Sequence, residues 1–572
     1  MGDHSSVSPL FAVLRISFKQ GGGIYGILSK KDRQPRPAEG AERVRSVEWM
    51  ALDQWKLWHN SGEGYTLLPY IRKIKTESDV GVLPAFWDGA WAQASSHASV
   101  LESGKGGRYT IVGLRPVAAI AGKGDEARAW SPVDGSGDEW TETGRMNGRP
   151  LDVVREWLRP WRGPRPEGVP DCIGGAIGFW SYDVVRSLEK LPVIAQDDLG
   201  MPDYVFQRFE ELWIADHAEG EVYIAVHAGV GPDTDREGLE RLYRSARERA
   251  DEMERQWMGW LAEGESSASR ERAARMREKM AGDRLEIDIE RLPGLTTSMS
   301  KAQYEEAVSQ IQRYIGQGDV FQVNLALRQS RRTDVAPETL YEWLRVVNPS
   351  PYMGMLRTPS FSLVSASPEL LVKLDGRRLS TRPIAGTRRR GRTPEEDRAL
   401  EDELLGSEKE RAEHVMLVDL ERNDLGRVAK YGTVKVPELL TVERYSHVMH
   451  LVSQVEATLA DGKDALDVLA ATFPGGTITG APKIRTMEII EELEPTRRGS
   501  YTGSIGWIDY SGNMEFNIII RTIAVQDGVC HIQAGAGIVI DSVPEREFHE
   551  SLNKAKALWK AVQYSEGQVE PT

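Results

Sequence analysis

Gly503-Ser504-Ile505-Gly506-Trp507-Ile508-Asp509-Tyr510, Met514 to Val525 and Val529 to Ala534 are three runs rich in apolar and β-branched residues, joined by Ser511-Gly512-Asn513 and Gln526-Asp527-Gly528. Turns this short favour antiparallel pairing, so the region is predicted to be an antiparallel meander. Upstream, Ser300 and Gln303 have the spacing of a capping box, and Tyr304, Ala307, Val308, Ile311 and Ile315 form one helical stripe that Gly316 and Gly318 stop. Val320 to Leu327 then alternates. Phe321, Val323, Leu325 and Leu327 are predicted to pack, while Gln322, Asn324 and Ala326 share the face that can meet a ligand. Helices before and after strands make residues 291–565 an α+β unit rich in antiparallel sheet.

Working outward, residues 231–290 turn abruptly to Arg/Glu-rich sequence such as Arg270-Glu271-Arg272-Ala273-Ala274-Arg275. That composition predicts a charged, solvated helical linker. Residues 61–230 carry short Val/Ile/Tyr/Trp runs between Gly, Pro and Asp, which read as strands in a mixed N-terminal unit. Residues 1–60, with Gly21-Gly22-Gly23 and Lys30-Lys31-Asp32-Arg33, lack sustained periodicity and are expected to be a poorly ordered extension.

The 72 basic and 86 acidic side chains of the 572 residues leave a net charge of −14, which disfavours nucleic acid and anionic membranes as partners. Cys172 and Cys530 are the only cysteines, too few for a disulfide framework or a thiolate metal cluster. Such usage suits a reducing cytoplasm. No uncharged apolar stretch approaches the ~18 residues of a spanning helix.

Chemistry is expected where carboxylates recur at helical spacing: Glu410 with Glu413, and Glu547 with Glu550. In the last helix Phe548, Leu552, Ala555, Trp559 and Val562 form the apolar stripe, and Glu547, Glu550 and Lys554 fall on the opposite side. The pattern fits a helix between a core and a site, and equally an ordinary solvated helix. Oxygen-only clusters select hard cations, so Mg2+ is the expected metal. A di-iron site usually needs a Glu-x-x-His step, which neither Glu410 nor Glu547 has. Pro474-Gly475-Gly476-Thr477 and Gly535-Ala536-Gly537 are glycine-rich turns whose amides can approach an anion, but neither is a P-loop. No Gly-x-Cys-x-Gly nucleophile turn is present, so hydrolysis of glutamine by this chain is not expected.

The string Glu410, Glu413-His414, Asp419-Leu420-Glu421-Arg422-Asn423-Asp424, with the later glycine loop and the Pro544-to-Lys554 helix, resembles the chorismate-utilising enzymes, and among them the large subunits of anthranilate synthase. The resemblance spans roughly Tyr65 to Val562. It implies their antiparallel-sheet-rich fold with an N-terminal regulatory unit, and Mg2+-dependent conversion of chorismate and ammonia to anthranilate and pyruvate, the first committed step of tryptophan biosynthesis. It also implies ammonia from a separate glutamine amidotransferase, a heterodimer or heterotetramer, and feedback by tryptophan.

By motif, the resemblance makes Glu413 and Glu550 direct Mg2+ ligands and lets Glu410 and Glu547 act through metal-bound water. It assigns Ala385, Gly386, Thr387, Gly475, Gly476, Tyr501, Arg521, Gly535, Ala536, Gly537 and Lys554 to substrate binding. His450 resembles the histidine that assists removal of the C2 proton, Thr477 helps hold the ring, and Glu369 resembles the acid that protonates the departing C4 hydroxyl. Glu102, Ser103, Pro351, Tyr352 and Met353 lie in segments resembling those that bind tryptophan, although Val100 and Gly104 to Gly107 depart from the usual pattern.

Two positions select among relatives. Those forming 4-amino-4-deoxychorismate commonly carry a lysine nucleophile where this chain has Ala385 in Pro383-Ile384-Ala385-Gly386-Thr387. Those adding water at C2 use a lysine base where this chain has Gln322. 2-Amino-2-deoxyisochorismate synthase is the alternative these positions leave open, and a non-catalytic tryptophan-sensing protein is the alternative from another class. Arg388-Arg389-Arg390 is expected to pair with surface acids.

Overall fold

The computed structural model describes residues 44–76, 81–104, 106–133, 138–281, 283, 286–444 and 448–567. Among these, strands assemble into two large sheets in which neighbouring strands pair antiparallel. Phe179, Val205 and Ile505 of one sheet pack against Leu356, Phe361, Leu363 and Ala524 of the other, so the sheets lie face to face. Helices cover both outer faces through two larger apolar clusters. The result is a four-layer α+β architecture.

Both sheets run continuously through what the sequence suggested were separate N-terminal and C-terminal units. Strand Ala98–Glu102 pairs with Tyr352–Arg357 in one sheet, and Gly175–Trp180 pairs with Ser504–Asp509 in the other. The expected capping box at Ser300 and Gln303 forms, and helix Lys301–Gln317 buries Tyr304, Ala307, Val308 and Ile311. Gly318 closes it at φ +85°.

Four expectations are corrected. The 514–525 stretch is not one meander strand: Met514–Asn517 pairs with Ser504–Asp509, while Thr522–Gln526 joins the other sheet beside Val529–Ile538. Ile518 and Ile519 enter different apolar clusters, and Arg521 turns the chain at φ +53°. Phe321 precedes strand Gln322–Arg332 and is 71% exposed, whereas Val323, Leu325 and Leu327 are buried as expected.

Part of the expected extension is structured, because Val44–Glu48 pairs with Leu67–Thr76 and Leu52–His59 is a helix that buries Trp55. Residues 1–43 lie outside the described residues. Finally, residues 231–290 are not a solvated linker. Helix Arg236–Gly264 buries Leu239, Ala246, Ala250, Met253, Trp257, Trp260 and Leu261 in the largest core cluster. Three- and four-residue steps align Ala246 to Trp260 on one face, and the Arg/Glu surroundings occupy the other.

Trp257 is fully buried with its ring centroid 6.1 Å from that of Trp87 and 5.8 Å from that of Trp260. Trp257→Ala is expected to cost roughly 3–5 kcal/mol of stability by denaturant titration. A change below ~0.5 kcal/mol is what an exposed linker would give.

Candidate active site

Helix Glu408–Gly426 starts at Ser407, whose hydroxyl accepts from the Glu410 amide at 3.4 Å. Helix Pro544–Ser565 buries Phe548, Leu552, Ala555, Trp559 and Val562, as its stripe requires. Each helix brings two of the predicted glutamates. Burial raises the Glu413 carboxyl above its ordinary range, with Glu410 adding to the rise and Gln322, Lys409 and Lys554 opposing it. Burial likewise raises Glu547, which Ser542, Lys554 and Lys409 oppose and Glu550 reinforces. Since Lys409 and Lys554 act on a carboxylate of each helix, the two pairs face a common space.

Among the described residues no group of three or more His, Cys, Asp or Glu side chains is already gathered to hold a metal ion. Lys554 instead bonds Glu550 at 2.9 Å, and Arg388 bonds Glu410 at 3.2 Å. The donor set still fits a hard divalent cation. It is all carboxylate oxygen, and the like-charge repulsion within each pair is what a cation between them would relieve.

Gln322 Nε2 donates to Glu413 Oε1 at 3.1 Å. On the same strand face Asn324 Nδ2 donates to the Thr477 carbonyl at 3.4 Å. Gln322 Oε1, Asn324 Oδ1 and Thr477 Oγ1 are buried without a protein partner. Unpaired buried polar atoms are costly and rare, and three on adjoining segments mark a place built for a polar ligand. The neighbouring strand Val529–Ile538 carries Gly535, Ala536 and Gly537, with Asn324 opposite Gly537 and Ala326 opposite Gly535. A side chain at Gly537 would collide with the Gln322 amide.

Lys554 Nζ also donates to the Gly535 carbonyl at 3.0 Å, and an Arg521 guanidinium nitrogen donates to the Lys554 carbonyl. Burial lowers Arg521, while Tyr501 and Glu550 support its charge. Burial raises the Tyr501 phenol to about 12, so it is a neutral donor. Arg521, Lys554 and Tyr501 therefore collect positive charge and a hydroxyl beside the glycine strand, where a dianion needs them.

Strand Ile384–Arg389 is bulged between Ala385 and Thr387. Gly386 sits there at φ +64°, where an added Cβ would lie 3.1 Å from Glu410 Oε2; both the backbone and the space call for glycine. Thr387 faces His450 in the register, and His450 Nδ1 lies 3.0 Å from Thr387 Oγ1 and 3.4 Å from the Gly386 carbonyl. With the proton on Nδ1 the ring donates to that carbonyl, and Nε2 is then the basic nitrogen. Burial lowers His450, with Gly386 and Glu443 opposing and Arg521 assisting, so the ring is neutral near pH 7.

Burial pushes Glu369 up to about 7, partly offset by the Thr477 hydroxyl and the Ile384 amide. Thr477 Oγ1 meets no protein group in full hydrogen-bond geometry, so it acts on Glu369 as a nearby polar group. Gly475 precedes the short turn Gly476–Ile478 that carries Thr477.

The segments expected to bind tryptophan also meet. Ser103 Oγ donates to the Pro351 carbonyl at 3.3 Å, the Gly104 amide to Ser350 at 3.0 Å, and Met353 pairs with Glu102. Tyr352 opens that strand. At Glu102, Trp87 Nε1 and the Tyr341 hydroxyl each donate to the carboxylate at 3.0 Å, and Arg345 pairs with it at 2.8 Å. Its carboxylate is engaged within the fold.

The sequence reading gave no role to Asn324, to Glu421 or to the Arg388–Glu410 pair. Asn324 was on the correct strand face but matched no motif. Arg388, Arg389 and Arg390 pair with Glu403 and Glu410, Glu396 and Asp397 respectively, as surface pairing anticipated.

A family model described as chorismate binding enzyme matches residues 97–560. The chain belongs to the chorismate-binding enzymes. Aminodeoxychorismate synthase component 1 of Bacillus subtilis (strain 168) is 47% identical over 483 residues, 84% of this chain and 94% of that protein. Anthranilate synthase component 1 of Thermus thermophilus is 49% identical over 405 residues, 70% of this chain and 80% of that protein. The crystal structure of anthranilate synthase component I from Streptococcus pneumoniae TIGR4 matches with a TM-score of 0.63 at 31% identity, over 79% of this chain and 92% of that chain. As a chorismate-binding enzyme the chain has the family's mixed helices and large antiparallel sheets. Among the described residues no helix is long and apolar enough to cross a membrane.

Proposed function

We propose that this chorismate-utilising enzyme is the large subunit of an anthranilate synthase, taking ammonia from a separate amidotransferase. The observation that carries the reading is the methyl group of Ala385 on the bulged strand beside Glu410. It supplies no amine for a covalent intermediate, while His450 and Glu369 supply the base and the acid that amination with loss of pyruvate needs.

The balance is chorismate dianion plus ammonia giving anthranilate, pyruvate and water. Glu369, half protonated near its pKa of about 7, delivers its proton to the C4 hydroxyl as that group leaves as water. Ammonia bonds to C2 as the double bonds shift toward C4. Gln322 Oε1, lacking a protein partner, accepts an ammonia N–H and orients the lone pair; a neutral amide cannot deprotonate water. His450 Nε2 then takes the C2 proton, the ring becomes aromatic, and the enolpyruvyl group departs and is protonated to pyruvate. Arg521, Lys554 and the Tyr501 hydroxyl hold carboxylates. Glu413, Glu550, Glu410 and Glu547 would hold Mg2+, which would supply positive charge to a substrate carboxylate.

With chorismate, Mg2+ and excess ammonium at alkaline pH, purified chain is expected to release anthranilate. Glutamine in place of ammonium is expected to give none until an amidotransferase is added. Robust glutamine-dependent turnover by the isolated chain would remove the subunit reading. The 47% identity to an aminodeoxychorismate synthase component 1 favours a second reading, amination at C4 with the enolpyruvyl group retained.

Tryptophan is proposed to inhibit from the junction of Ser103 with Pro351 to Met353. Ser103→Phe is expected to weaken inhibition at least ~10-fold while leaving uninhibited turnover within ~2-fold, because coupling needs a ligand that distinguishes two states. Joint loss of inhibition and catalysis would reassign these segments to packing.

A further inference from the structure

Asn324 Oδ1 is one of three buried side-chain oxygens about the site that meet no protein partner among the described residues, and the steps above give it no role. The Asn324 backbone is pinned from two sides. Its amide donates to the Thr479 carbonyl at 2.8 Å, and its carbonyl accepts from Arg498 Nη2 at 2.7 Å; Arg498 is itself buried and paired with Glu494 at 2.6 Å. The side chain is held as well, since Nδ2 donates to the Thr477 carbonyl at 3.4 Å. That donation assigns the two ends of the amide, so the free end is the acceptor.

Gln322, two residues earlier on the same strand, is arranged in the same way. Its Nε2 donates to Glu413 Oε1 at 3.1 Å, and its Oε1 is free. Side chains two apart on a strand share a face and stand about 7 Å from one another. Both amides lie over the glycine strand: a Cβ at Gly537 would fall 2.4 Å from Gln322 Nε2, and a Cβ at Gly535 would fall 2.9 Å from Asn324 Oδ1. Each amide thus uses its donor to hold itself to the protein and keeps its acceptor for a ligand. That ligand must bring donors. Chorismate is poor in them, because its carboxylates only accept. Its C4 hydroxyl has one O–H, and the unpaired Thr477 hydroxyl, near enough to act on Glu369, is the acceptor placed for it. Ammonia has three N–H groups and one lone pair.

We propose that Asn324 completes an ammonia site with Gln322, its Oδ1 accepting a second N–H of the molecule that Gln322 Oε1 orients. The inference rests on ammonia being the nucleophile of the proposed reaction. One acceptor leaves ammonia free to turn about a single hydrogen bond, whereas two fixed acceptors determine where the lone pair points. Asn324 gives and takes no proton, so the bonds made and broken are those already described. Neither amide can deprotonate water, and a water held here in place of ammonia stays unreactive.

The test is the dependence of the initial rate on free ammonia and, separately, on chorismate, with Mg2+ saturating. Asn324→Leu keeps the bulk of the amide and removes the acceptor. It is expected to lower kcat/KM for ammonia ~10-fold, the scale of one hydrogen bond, and to leave kcat/KM for chorismate at saturating ammonia within ~3-fold. An unchanged kcat/KM for ammonia would overturn the proposal. So would an equal fall in both parameters, which is what a residue that only supports the fold gives, and so would a loss confined to chorismate, which would assign Oδ1 to the C4 hydroxyl. If Asn324→Leu does not fold, Asn324→Ala removes the same acceptor without bulk near Gly535, and the same results decide. Rates are read on whichever aminated product forms, so a product that keeps its enolpyruvyl group would remove the proposed reaction and still leave the ammonia site decided. Turnover of chorismate without ammonia would overturn both.

Discussion

Glu413→Gln and Glu550→Gln are each expected to lower kcat/KM for chorismate by ~10^3-fold or more, the scale of losing a preorganised electrostatic contact of ~4 kcal/mol. Each removes one charge from a site whose two helices present glutamates to the same Lys409 and Lys554. Glu413 additionally accepts from Gln322, so its replacement also disturbs the residue proposed to orient ammonia. Calorimetry should show Mg2+ affinity falling in both variants, a readout independent of turnover. Melting temperatures should change little, because Glu413 is half-buried and Glu550 exposed. An ordinary solvated helix gives stability changes within about ±0.5 kcal/mol and unaltered turnover. Near-normal activity in both variants would restore that simpler account.

Glu369→Gln is expected to lose ~10^2 to 10^4-fold in kcat, the usual contribution of a general acid. The amide preserves shape and hydrogen bonding but has no proton to give. Burial holds the wild-type carboxyl up to about 7, so its acid form predominates below that pH and is lost above it. At constant free ammonia, wild-type kcat should therefore decline above neutrality, and the residual activity of the variant should lack that decline. A variant that keeps the same alkaline inflection would assign the proton to another group.

Helix stripes and caps were legible because they depend on neighbours three or four residues away: Ser300 with Gln303, Tyr304 to Ile311, Phe548 to Val562. The glutamate pairs were legible for the same reason. That Ser103 would meet Pro351 could not be read from spacing; motif resemblance brought their segments together, whereas the Glu413–Gln322 hydrogen bond was not anticipated at all. Helix Arg236–Gly264 was misread because its mean composition is charged, although its buried face is a Trp and Met stripe. Residues 514–525 misled in the opposite way. A continuous β-rich run carries no local sign that Ile518 and Ile519 enter different clusters, or that Arg521 turns the chain between sheets.

The central claim is that the acid and base about Ala385 carry amination through to aromatisation. Its most direct test is product stoichiometry from 13C-labelled chorismate with the purified chain, Mg2+ and excess ammonium, followed by NMR. The account expects one pyruvate released for each anthranilate formed, with no aminated intermediate accumulating. Conversion to 4-amino-4-deoxychorismate with the enolpyruvyl ether intact and no pyruvate would contradict it.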